Sequence, residues 1–195
     1  MEQLTPILLA QLAKLGYTIF LSGDYNVNII GVRKTLMLTD KFDDLLYVIY
    51  KDNGTWVTKE YQITTDPGTH YLTYPMNKKG TAVLAEGQYR GAFALKEFKG
   101  YTALVQEKPV IVWRTLDENI IDDMATLDTG YFGIAIHRSK TDVVTTHIGK
   151  WSAGCQVFAN PAEFAEFISI LQRAAKKYGN SFTYTLVHES SLCQP

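Results

Sequence analysis

The sequence predicts a mostly β fold of the α+β class, and three observations carry that prediction. Several short runs alternate apolar and polar residues, the period of a half-buried strand. The turn tripeptide Asp52-Asn53-Gly54 stands between two such runs, "LLYVIYK" and "TWVTKEYQITT", as a hairpin requires. Helical spacing, by contrast, is confined to a short stretch near the start and a longer one near the end of the chain. At 195 residues and 46% hydrophobic, the chain suits one sizeable core.

The elements follow in order. Residues 5–16, "TPILLAQLAKLG", predict an amphipathic helix with Thr5 as cap, Pro6 in the first turn and Gly16 at the end. "YTIFLSGDYNVNIIGVR" reads as strand broken at Gly23-Asp24. Residues 1–40 are therefore expected to form a helix-strand extension packed on a main domain of residues 41–195. After the hairpin, "DPGTHYLTYPMNKKG" reads as a turn-rich loop, and "TAVLAEGQYRGAFAL" and "YTALVQEKPVIVWRT" as strands. Pro109 marks an edge or a break in the latter. "DENIIDDMATLDTG" reads as an acidic connection, and "YFGIAIHRS" as a buried strand ending at His137. The clearest helix opens with Asn160 as cap, Pro161 at the first position and Glu163 in the first turn. It runs through Phe164, Phe167, Ile168, Leu171 and Ala175 to Gly179, and "SFTYTLV" returns as a strand.

Composition excludes some functions. The net charge is −1, from 19 basic and 20 acidic residues, so no overall basic character points to nucleic acid. No apolar run reaches the roughly 18 residues of a spanning helix. The N-terminus carries neither a basic start nor a small-residue cleavage pattern, so no export signal is read there. Two cysteines, Cys155 and Cys193, make no disulfide scaffold.

The chemistry concentrates at "HIGKWSAGCQVF", residues 147–158. A cysteine is a nucleophile when its thiolate is favoured and reachable. Gly154 lets the backbone approach a ligand closely, and the amides of Gly154 and Cys155 are candidates to hold an oxyanion, with Ser152 shaping the turn. His137, at a strand end, is the candidate general base for Cys155. Arg138 and Arg90 are candidate substrate charges. Trp151, Tyr74 and Tyr89 are candidate walls of a substrate cleft, and His147 lies in the loop between base and nucleophile. Each has a plainer reading: a buried cysteine is usually a small apolar residue, and a lone histidine a satisfied structural one.

"GIAIHRS…KWSAGCQVF" resembles the catalytic segment of the L,D-transpeptidase, or YkuD-like, family. In that family a strand-end histidine is followed by a Ser/Thr-x-Gly-Cys motif, matched here by His137, Ser152, Gly154 and Cys155. "DDLLYVIYKDNGTWVTKEYQITTDPGT" is similar to the family's opening hairpin, and the likeness spans residues 43–187. It implies a β-sandwich with one helix after the cysteine. It also implies cysteine acyl transfer or hydrolysis on peptidoglycan stem peptides through an acyl-Cys155, with no cofactor and no metal. Two positions depart from the pattern: Ala153 stands where the family has His, and Val157 where it has Arg. The departures and the lack of an export signal suggest a divergent, phage-encoded branch, carried in the virion or released at lysis; otherwise the protein is expected in the cytoplasm. Three rival readings stand beside this one: a zinc amidase ligated by His137, His147 and Cys155; a non-catalytic virion or cell-wall binding module; and a structural Cys155–Cys193 disulfide.

Overall fold

The computed structural model describes residues 4–34, 40–115 and 126–192. Its architecture is mostly β, as expected. Eight strands form a closed barrel: β1 (Asn28–Arg33), β2 (Asp44–Asp52), β3 (Thr55–Thr64), β5 (Gly87–Phe98), β6 (Tyr101–Gln106), β9 (Ala135–Arg138), β10 (Gln156–Phe158) and β11 (Phe182–His188). Around the barrel the order is β1-β11-β5-β6-β9-β10-β3-β2. A separate three-stranded sheet runs β4 (Thr81–Leu84), β7 (Val110–Thr115), β8 (Thr126–Gly130). The expected two-layer sandwich is thus replaced by a ring plus a side sheet. The ring closes because β1 pairs parallel with β11, Ile29 opposite Tyr184, while also pairing antiparallel with β2.

The long hairpin forms as predicted. β2 and β3 pair from Asp44–Ile63 to Asp52–Thr55, so Asn53 and Gly54 make a two-residue turn. Both have positive φ, 49° and 77°, the geometry whose twist matches a hairpin. Pro109 acts as a break: β6 stays in the barrel and β7 leaves for the side sheet. "TAVLAEGQYRGAFAL" divides in the same way into β4 and β5. The acidic stretch 117–124 lies outside the described residues, and β8 follows it in what had read as connection.

The expected N-terminal and C-terminal helices are α1 (Ile7–Lys14) and α3 (Pro161–Tyr178), joined by two short ones, α2 (Thr69–Thr73) and α4 (Glu189–Leu192). Pro6, not Thr5, takes the cap position of α1, and no side chain caps it. Leu9 and Leu12 of α1 pack on Ile30, Val32, Ile49 and Val187, the outer face of the β1–β2–β11 region. Because the inner face of β1 meets the barrel core through Ile29, all six of its residues are buried.

In α3, Asn160 Oδ1 accepts from Ala162 N–H at 2.9 Å, Pro161 is the first residue, and Gly179 ends the helix at φ 89°. Phe164, Phe167 and Leu171 are buried with Ile63, Leu104, Ile136 and Phe158 in one cluster. Lys59 and Tyr61 of β3 both reach Glu166 of the helix, at 2.6 and 2.9 Å. The helix therefore packs beside β9 and β10, the two strands that carry the candidate histidine and follow the candidate cysteine.

Candidate active site

β9 and β10 are parallel neighbours, with Val157 opposite His137. Cys155 immediately precedes β10, two residues before Val157. Strand side chains alternate between faces, so Cys155, Val157 and His137 leave on the same face. Cys155 indeed packs on the cluster of Phe42, Ile148, Val157 and Ala159, while Gln156 turns inward to accept from Tyr184 O–H at 3.0 Å. Strand spacing and rise put the α-carbons of Cys155 and His137 about 8 Å apart, one strand across and two residues along.

The motif turn is built around Gly154. Its φ is 115°, and a β-carbon there would collide with the carbonyl oxygen of Ala82 in β4. Only glycine meets both conditions. Ser152, wholly buried, donates through Oγ to the Cys155 carbonyl at 2.8 Å and accepts from Gly154 N–H at 3.2 Å. The Ser152 carbonyl in turn accepts from Gly68 N–H at 2.9 Å. Ser152 thus ties the two ends of the turn together. It also engages one of the two amides assigned to an oxyanion hole, that of Gly154. Gly154→Ala is expected to cost at least about 2 kcal/mol through backbone strain and contact, and to change the alkylation rate of Cys155. Urea unfolding and iodoacetamide kinetics check the two effects.

Cys155 is a half-buried free thiol, donating weakly to the Gly133 carbonyl at 3.8 Å. Burial pushes it above the ordinary thiol value; a hydrogen bond with the Ala135 backbone and the Lys99 ammonium pull it down. His137 is 3% exposed. Its Nδ1 lies 2.8 Å from the Arg138 carbonyl, an oxygen that only accepts, so Nδ1 carries the proton and Nε2 is left as the base. Burial lowers His137 to about 4, partly opposed by that hydrogen bond and reinforced by Lys99 and Arg138. The ring is therefore neutral at pH 7. Phe98 packs on it with centroids 5.0 Å apart, and the Tyr101 hydroxyl sits 3.5 Å from Nδ1.

Two adjoining cavities serve the pair. One, of about 430 Å³, is lined by Cys155, Ala153, Tyr71, Phe98, Lys99 and Arg114, among others. The second, of about 370 Å³, is lined by His137, Arg138, Tyr101, Trp151 and Lys99. Lys99 borders both. Among the described residues no hydrogen bond joins Sγ to the imidazole, so base and nucleophile open to neighbouring cavities rather than to one.

The structure sorts the other candidates. Arg138 and Trp151 stand in the histidine's cavity, Arg138 with its guanidinium 4.2 Å over the Tyr101 ring. Tyr74 is exposed and packs on His70; Tyr71 lines the cysteine's cavity instead. Tyr89 is buried, its hydroxyl held between the carbonyls of Ala85 (2.6 Å) and Ile111 (3.1 Å), because the pleat of β5 turns it into the core. Arg90, next along β5, faces solvent away from both cavities. His147 is exposed and bridged to Lys41. Among the described residues the tight cluster of three potential metal ligands is Asp43, Asp44 and Asp66, not His137, His147 and Cys155. Cys193 lies outside the described residues.

Val157 is fully buried, and an arginine there would bury its charge. The cations near the thiol are instead Lys99, at the β5–β6 turn, and Arg114 of β7. Arg114 is bound to Asp128 at 3.3 Å and lies 4.9 Å over the Phe132 ring. Neither stands out in the sequence, since both come from strands remote from the motif and meet it only through the fold. No family model, curated protein or solved structure matches the chain.

Proposed function

We propose that this protein is a cysteine acyltransferase or peptidase of the L,D-transpeptidase, YkuD-like kind, acting on peptidoglycan stem peptides. The observation that carries the reading is the parallel pairing of β9 and β10. It sets a neutral His137 with an unprotonated Nε2 and a half-buried Cys155 on one face, at diagonal positions, each lining one of two cavities that share Lys99. In the reaction, His137 takes the thiol proton as Sγ bonds to the carbonyl carbon of the stem peptide. The tetrahedral intermediate collapses, the C–N bond breaks, and the proton passes from His137 to the leaving amine. Water or an acceptor amine then attacks the thioester and releases Cys155. Closing the gap between Sγ and the ring requires a side-chain adjustment when substrate enters, which is common for catalytic hydrogen bonds in unliganded enzymes. The divergent, phage-encoded origin belongs to the same proposal.

The test is to incubate the protein with defined muropeptides and follow intact and product masses. A thioester adduct on Cys155 with loss of the leaving amine is the expected result; a chain that acquires no adduct and changes no muropeptide overturns the reading. The acid limb is specific too. Because His137 titrates at about 4 in the folded state, kcat/KM should stay level from neutrality down to about pH 5 and fall near pH 4. A limb near 6.5 would mark a solvated base and count against His137.

A further inference from the structure

The cavity that holds Cys155 is lopsided in charge. Lys99 and Arg114 line it, and among the described residues no carboxylate does. Arg114 is already neutralised, by Asp128 at 3.3 Å. Lys99 is not. It sits at the tip of the β5–β6 hairpin, where Phe98 pairs with Tyr101 and Lys99 and Gly100 make the two-residue turn at φ 51° and 86°. Among the described residues Glu97 accepts from Gly100 N–H at 2.6 Å, Glu107 pairs with Lys96 at 2.6 Å, and the one carboxylate lining either cavity is Asp142, on the histidine's side. The ammonium of Lys99 rests 5.2 Å over the Phe98 ring, which itself packs on His137. A cation held on an aromatic platform, bordering the cavities of both the nucleophile and the base, is a receptor for an anion.

We infer that Lys99 binds a carboxylate on the acyl-donor residue of the substrate, and so selects free-acid stem peptides over their amidated forms. This rests on the reading of Cys155 as the acyl acceptor, which places the donor residue in that cavity. The ammonium reaches the carboxylate across the cavity mouth, while the donor's apolar atoms meet Phe98, Tyr71 and Phe132.

The experiment uses two stem peptides identical except that one bears a free carboxylate beside the scissile amide and the other a carboxamide. Binding of each is measured by calorimetry on the Cys155→Ala protein, alone and with Lys99→Gln or Lys99→Glu, so the readout does not depend on turnover. The carboxylate peptide should bind the Cys155→Ala protein roughly ten-fold or more tightly than its twin. Lys99→Gln should bring the two within about two-fold while leaving carboxamide binding unchanged, and Lys99→Glu should reverse the order. Equal affinities with Lys99 present, a preference that survives Lys99→Gln, or no binding of either peptide would overturn the inference. The reading of Cys155 is judged separately, by whether the native chain forms an adduct. Charge discrimination without an adduct leaves Lys99 as a receptor in a non-catalytic site; an adduct without discrimination removes Lys99 and keeps the enzyme.

Discussion

Cys155→Ala is expected to abolish acyl transfer, by at least three orders of magnitude in kcat, while stability changes by no more than about 1 kcal/mol. Both halves follow from the site. The sulfur is the one thiol on its cavity wall among the described residues, and in the proposed reaction no acyl-thioester forms without it. Its structural role is small, because it is half-buried and its contact with the Gly133 carbonyl is a weak one at 3.8 Å. The turn that presents it is held by Ser152 Oγ and Gly68, which the substitution leaves alone. Muropeptide turnover read beside thermal unfolding checks the pair of outcomes. Turnover at the native level would remove Cys155 from the mechanism, and loss of folding would make it a structural residue.

The largest expected loss of stability is at Arg33. Its side chain is wholly buried in β1, yet every direction of the guanidinium is used. Nε donates to Thr65 Oγ1 at 2.9 Å, Nη1 to Glu86 at 3.0 Å and Nη2 to the Leu84 carbonyl at 3.0 Å, and Asp66 lies 3.8 Å away. Asp44, also buried, accepts from Lys34 and Thr65 N–H beside it. Arg33→Ala removes the cation and leaves buried acids behind, a change that costs about 3–5 kcal/mol. Urea unfolding should show it, with Arg33→Met paired to Asp66→Asn recovering part of the loss. The same cluster sets a pH dependence. Burial, then the charge of Asp44, raises Asp66 to about 8. The folded state therefore holds a proton that the unfolded chain releases near pH 4. Stability contributed by that proton is full below pH 4 and is lost as pH rises to about 8. Asp66→Asn should flatten that slope in melting temperatures taken between pH 5 and 8.

Local chemistry was legible where one short segment decides the outcome. Asn53-Gly54 specified its turn, Asn160-Pro161 its helix start, and Gly179 its helix end, because each acts on backbone within a few residues of itself. Gly154 was read as a glycine that lets a ligand approach the backbone, whereas the group against it is the Ala82 carbonyl of β4. What escaped depends on distant segments. Barrel closure rests on β1 meeting β11, and no periodicity encodes a partner in another part of the chain. Tyr89 and Tyr74 were indistinguishable by type; only the pleat of β5 and the exposed end of α2 separate them. Arg33 drew no reading from the sequence, since its acids Asp44, Asp66 and Glu86 lie on three other segments. Lys99 and Arg114 belong to the site through the hairpin tip and the side sheet, which spacing from Cys155 does not reveal.

The parallel seam between β1 and β11 bears on synthesis. A ribosome delivers Ile29 long before Tyr184, so β1 must wait with one edge open until nearly the whole barrel has emerged. The α1 helix, packed on β1 and β2 through Leu9 and Leu12, shields one flank of the nascent sheet during that interval. Cys155 is also made late, so in the proposed reading the chain emerges inert and gains acyl-transfer chemistry only when the ring locks.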